Sequence, residues 1–199
     1  MNPEIANNVE DIQLQSNLAQ AKIHLGREFL QWCWFISETE PEGMELSVAG
    51  NQHQIEVWLD ERVVFESTKD GGETMTQKGG EPSMSPETTA AMLSGKSLRE
   101  ARVGIRHQSG IEWICVVDSR DLNPKGLRII RLADDGSETA VDQDGLVEKR
   151  LDDIQMFIDV FDALFSRFIQ IRLAGDWKDE TVANMRAWMR KRGAKHLRH

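Results

Sequence analysis

Tyrosine is absent from this chain, cysteine occurs only twice, and no apolar run is long enough to span a bilayer. Two cysteines cannot build the framework that staples a small secreted domain. Cys33 and Cys115 both lie among apolar neighbours and read as reduced core side chains. No Lys or Arg precedes Lys22 and no apolar run follows the start, so the pattern of a signal peptide is missing and the expectation is a cytoplasmic protein. Positive charge is also short, with 24 Lys and Arg against 33 Asp and Glu and a net charge of -9. That balance excludes a protein coated in positive charge, so any polyanion partner would have to meet a local patch.

What is present suits a globular domain. A length of 199 residues is enough to bury a core, and 40% hydrophobic with 29% charged residues excludes disorder throughout. Charge is unevenly spread. Residues 134 to 153 hold eight carboxylates, whereas residues 186 to 199 hold six Lys or Arg and no acid.

The stretch from Leu98 to Val117 organises the rest. Ala101, Val103 and Ile105 alternate with Glu100, Arg102 and Arg106, which is the period of a half-buried strand. His107-Gln108-Ser109-Gly110 turns the chain into Ile111 to Val117, a run apolar on both faces that belongs in the middle of a sheet.

Residues 1 to 16 are polar without clear period and are expected to be flexible. From Asn17 an apolar stripe through Leu18, Ala21, Leu25, Phe29, Trp32, Cys33 and Ile36 marks a helix. Leu30, Trp34 and Phe35 make its end apolar all round, so it needs cover from the core, from the long C-terminal helix or from a second subunit. Short strands follow at Met44 to Val48, Ile55 to Leu59 and Arg62 to Glu66, and Asp60-Glu61 is placed as a tight hairpin turn between the last two. A further strand is read at Glu73 to Lys78. Ser85-Pro86-Glu87 and Gly95 mark both ends of a short helix. A strand at Leu127 to Leu132 precedes an acidic loop over 133–145, and a long helix over 147–173 carries apolar residues at threes and fours. The architecture expected is α+β: a largely antiparallel sheet of about five to six strands, packed by an N-terminal helix and a long C-terminal helix. The domain spans 17–173, with 174–199 as a C-terminal helix and basic tail.

Chemistry is harder to find. Ser94-Gly95-Lys96-Ser97 imitates the end of a phosphate-binding loop, but Ala90 stands where the motif needs its first glycine and the order here is helix then strand. It reads instead as a helix cap followed by a solvated lysine. His24 and Glu28, the pair His196 and His199, and the acids Asp134, Asp135, Asp142 and Asp144 do not make a ligand set of known order. No nucleophile, base and orienting group fall on motif positions, so no catalytic residue, cofactor or metal is assigned and the chain is expected not to be an enzyme. Lys78, Lys96, Arg99, Arg102 and Arg106 are the basic candidates. They could follow a phosphate backbone without reading bases, or they could keep an exposed sheet soluble.

Several runs resemble the recombination-associated protein RdgC family: Leu25-Gly26-Arg27-Glu28-Phe29-Leu30 through Trp34, Ile55 to Asp60 with Val63 to Ser67, Lys78 to Pro82 with Ser85 to Glu87, Leu93 to Lys96, Ile111 to Ile114, and Lys125 to Leu127. The resemblance covers roughly 25–174 and is strongest to shorter members. It implies a mixed α/β protein that binds DNA without strong sequence preference, forms a homodimer and limits recombinase loading. On this resemblance the family's basic positions fall on Lys78 and on Gly95-Lys96. The region by which longer members close a ring around DNA has no counterpart here, so surface contact is expected rather than encirclement. Two functions follow as expectations. One is non-catalytic DNA binding through Lys78, Lys96, Arg99, Arg102 and Arg106, with no membrane or small-molecule partner. The other is a protein-interaction module that docks a partner or a second copy through Phe29, Trp32, Trp34 and Phe35, without DNA.

Overall fold

A computed structural model describes residues 3–67, 72–79, 85–131 and 143–196, with side chains within 15–67, 72–79, 85–131 and 145–192. Helix α1 (Pro3–Thr39) is followed by β1 (Met44–Val48), β2 (Asn51–Ser67) and β3 (Thr74–Lys78). Then come α2 (Pro86–Leu93), β4 (Lys96–His107), β5 (Ile111–Asp118), β6 (Lys125–Arg131), α3 (Gln143–Leu173) and α4 (Val182–His196), with a π-helical turn at Trp177–Thr181. The protein is α+β, built on a six-stranded antiparallel sheet in the order β1-β2-β4-β5-β6. β1 and β3 lie end to end along one edge of β2, because β2 pairs with β1 through 51–55 and with β3 through 62–66.

The central hairpin forms as its alternation requires, with Val103 opposite Cys115 and Ile105 opposite Trp113. Gly110 takes a φ of 81°, which the return into β5 needs and a glycine supplies without strain. At α2, Ser85 has extended backbone and its hydroxyl accepts the Thr88 N–H at 3.1 Å, while Gly95 at φ 88° ends the helix. The lysine after that glycine opens a strand, so the phosphate-loop imitation is a cap and nothing more.

Three expectations are corrected. First, β2 is one strand of 17 residues and Asp60-Glu61 is not a turn. Both halves of β2 lie along β4: Leu59 faces Val103 and Val63 faces Ala101, so β2 carries two more residues than β4 across this step. The excess is absorbed as a bulge. Asp60-Glu61 lacks the glycine or asparagine that a two-residue hairpin turn demands, and the long partner strand wins. Second, α1 begins at Pro3 rather than near 17. Proline suits the first helical position, and no glycine follows before Gly26. The stripe is not buried along its whole length, however, since Leu18 is 62% exposed. Third, 174–196 is no appendage, because Trp177 and Met185 are buried in the same core as α1 and α3. The acids Asp134, Asp135 and Asp142, most of the 133–145 loop, and residues 197–199 of the tail lie outside the described residues.

The core sits on one face of the sheet. Ile55, Val57, Leu59, Val63 and Phe65 of β2 join Val103, Ile105, Trp113 and Cys115 under α1 and α3. Phe29 of α1 meets Phe161, Phe165 and Phe168 of α3 at 5.9, 5.2 and 5.4 Å between ring centroids, in edge-on geometries that suit aromatic quadrupoles. Gly26 lets α1 approach the end of β5 so closely that a Cβ there would lie 2.0 Å from the Ser119 carbonyl oxygen.

At one end of this core His107, buried, meets His53 at 2.8 Å between ring nitrogens, while its Nδ1 accepts the Ser109 N–H at 3.1 Å. That acceptance leaves Nε2 of His107 as the donor to His53. Burial, and then the neighbouring His53, hold the His107 pKa below its ordinary 6.5. The folded state therefore binds fewer protons than the unfolded chain. This contribution to stability is complete above 6.5 and drains away as pH falls from there towards the depressed value. We expect the urea midpoint to fall between about pH 7.5 and about pH 5.5, and His107→Gln to flatten that stretch of the profile. An unchanged slope in the variant would assign the pH dependence to other groups.

Candidate nucleic-acid interface

Residues of opposite parity face away from α1 and α3. On this outer face the register aligns Trp58 of β2, Gly104 of β4, Ile114 of β5 and Arg128 of β6 in one row across four strands. The row beside it holds Glu56, Arg106, Glu112 and Ile130, and on the other side Arg102 lies opposite Val116. The outer face is therefore a charged and partly apolar surface laid over a buried sheet.

The five basic candidates divide sharply here. Arg106 is held by Glu56 at 2.6 Å and by Glu112 at 2.8 Å, and these bonds, the one from Glu112 foremost, raise its pKa further. Lys96 reaches Glu73 at 3.3 Å and Arg99 lies 4.0 Å from Asp118. Arg102 meets the bulge itself, with Asp60 at 3.0 Å and Glu61 at 3.2 Å. Lys78 is exposed at the end of β3, and no carboxylate among the described residues lies within ion-pair distance of it.

One place gathers four cations. A concavity of about 370 Å³ on the outer face is lined by Arg62, Lys78, Arg102 and Arg128 against a single carboxylate, Glu61, with Gly79, Gly126, Cys115 and Val116. The fold makes it. β3 sets Lys78 directly beside Arg62, the bulge swings Glu61 against Arg102, and β6 brings Arg128 from the far side. Arg62 is paired with Glu100 at 2.9 Å, whereas Arg128 is exposed and has no ion-pair partner among the described residues. Two of the five candidates, Lys78 and Arg102, thus belong to one site. Lys96, Arg99 and Arg106 line no part of it. Arg62 and Arg128 were missed, although each occupies an outward position in a strand of alternating pattern.

The interface residues proposed on α1 are not available to a partner. Phe29, Trp32 and Trp34 are 1%, 2% and 1% exposed. Trp32 packs on Phe168, and Trp34 and Phe35 pack edge-on against Trp188 of α4 at 5.3 and 5.7 Å. Of the covers expected, the core, the long C-terminal helix or a second subunit, it is the core with its long helix α3 that supplies it, together with the final helix α4. Expected docking through this face is therefore corrected for Phe29, Trp32 and Trp34, which are core, while Phe35 is half-buried and packs against that core.

Of the remaining sequence candidates, His24 stands 3.4 Å from Glu28, whose other oxygen is taken by Arg172 at 2.6 Å. Among the described residues no three His, Cys, Asp or Glu side chains converge so as to hold a metal ion. No helix of the described residues is long and apolar enough to cross a membrane. No known family model matches the chain, and no curated protein is significantly similar to it.

Proposed function

We propose that this chain is a non-catalytic DNA-binding protein that grips the phosphate backbone without reading bases, in keeping with the RdgC-like runs in its sequence and with a role in recombination or replication. The observation that carries this reading is the concavity where Arg62, Lys78, Arg102 and Arg128 face one carboxylate. A protein of net charge -9 needs such a local gathering to hold a polyanion, and phosphate contacts from side chains in strands fix position without selecting sequence. Lys96, Arg99 and Arg106 line no part of the concavity and are left out of the contact set. Phosphate must compete there with Glu61, which is 65% exposed and cheap to exchange, and with Asp60 and Glu100, which are 22% and 21% exposed and hold Arg102 and Arg62 more firmly.

Fluorescence anisotropy with a labelled DNA tests it. With up to four phosphate contacts, log Kd should rise with log salt at a slope of about 3, so that affinity falls roughly fiftyfold between about 50 and 200 mM salt. No binding at the lowest salt, or binding that ignores salt, would reject the reading.

A further inference from the structure

The site described above explains phosphate binding but leaves the aromatic at the other end of its row unused. Trp58 lies flat on the sheet. A Cβ built on Gly104 would stand 2.1 Å from Trp58 Cε2, 2.3 Å from Cζ2 and 2.6 Å from Cδ2, so only glycine lets the indole settle there. Its other face is directed away from the core, and the side chain is half-buried. The Arg106 guanidinium, anchored by Glu56 and Glu112, lies over the ring at 5.6 Å from its centroid, so a base on the indole would share that face with it. Ile114 continues the row, and Arg128 closes it inside the cation-lined concavity. Trp58 and Arg128 are three strand spacings apart, about 14 Å. Arg102 is two residues from Gly104 along β4, about 7 Å.

We infer that Trp58 is a base-stacking platform and that the ligand of this face is single-stranded DNA. The inference rests on the phosphate-binding reading and adds the ligand class to it. A duplex keeps its bases stacked on one another and offers the indole only a sugar-phosphate edge, whereas a single strand can turn a base onto it. The charges support the same occupant and its direction. Cations line the concavity, whereas Arg106 beside Trp58 is neutralised by Glu56 and Glu112, so the strand's phosphates sit in the concavity while a neighbouring base reaches Trp58. Stacking on an indole tolerates any base, which suits a surface with no base-reading pocket.

The experiment compares a labelled oligo-dT strand with a labelled duplex, on the full chain, in the wild type and in Trp58→Leu and Trp58→Phe. We expect the wild type to favour the single strand. Trp58→Leu should lose about tenfold or more on the single strand and nothing on the duplex, with Trp58→Phe in between. Ultraviolet cross-linking of the wild type to oligo-dT should map to the peptide that contains Trp58, a readout that stands even where the leucine variant fails to fold. A purely structural indole would shift thermal stability and leave the ratio of single-strand to duplex affinity unchanged, and that result, or cross-links that avoid Trp58, overturns the inference while leaving DNA binding intact. Absence of binding to either DNA in the wild type removes the phosphate-binding reading as well.

Discussion

Glu38→Ala should cost about 3 kcal/mol of folding stability, because it takes one carboxylate from a buried guanidinium and the acceptor from two indole N–H groups. The thermal midpoint should fall by roughly 10 °C for a chain of this size. Glu38 sits near the end of α1, where one carboxylate serves three partners. Its Oε1 accepts Trp34 Nε1 at 3.0 Å, its Oε2 accepts Trp188 Nε1 at 3.1 Å, and the Arg192 guanidinium closes on it as an ion pair. Arg192 is 8% exposed, donates to the Thr89 hydroxyl at 3.3 Å and lies over the rings of Trp34 and Trp188 at 5.4 and 5.7 Å. Removing the carboxylate therefore takes an acceptor from one buried cation and from two indole N–H groups together. Arg192→Ala should cost a similar amount. Glu38→Gln, which keeps an acceptor for an indole, should lose clearly less. Because this knot holds α4 over Trp34 and Phe35, Glu38→Ala should also increase binding of a hydrophobic dye under native conditions. A midpoint within a degree of the wild type would show that the charges are solvated and the helices held by apolar packing alone.

That knot could not have been read from the sequence, and the reason separates what was legible from what was not. Local chemistry was legible. Alternation over 98–117 gave the central hairpin, and Ser85-Pro86 with Gly95 gave both ends of α2. Partners brought from afar were not. Arg102 and Glu61 are 41 residues apart and Arg106 and Glu56 are 50 apart, so a strand of alternating cations gave no sign that carboxylates would be set opposite each one. The same blindness produced the hairpin at Asp60-Glu61. Two apolar runs separated by a polar pair invite a turn, and only the length of β4 shows that both runs share one partner. One warning was present, since Glu61 stands where such a turn wants glycine. The Trp-rich end of α1 announced that it needed cover but not who would give it. α4 does so from across the chain, with Trp188 bonded to Glu38 150 residues away.

The bulge that defeated the hairpin sets the second large effect, because it places two acids where a phosphate would bind. Asp60→Asn with Glu61→Gln should raise DNA affinity by about tenfold, since Arg102 then enters the concavity uncommitted and a like charge is removed from the ligand's path. The acids hold Arg102 at 3.0 and 3.2 Å from the partly buried Asp60 and the exposed Glu61, and since both amides keep an acceptor for the guanidinium the neutral variant should lose about 1 kcal/mol of stability. Arg62→Glu with Lys78→Glu should act in the opposite sense and lower affinity by about a hundredfold or more at low salt. Two contacts are lost there and two repulsions gained, at adjacent positions of a single strand pair. The contrast is diagnostic because the two double variants change charge on the same concavity in opposite directions. Charge reversal at Lys96, which lies outside it and is already paired with Glu73, should have much the weaker effect. Equal losses from Lys96→Glu and from Arg62→Glu with Lys78→Glu would mean that the DNA feels only net charge. A response confined to the concavity means that it is held at a built site, one whose strength is limited by the acids that hold Arg102 when no DNA is bound.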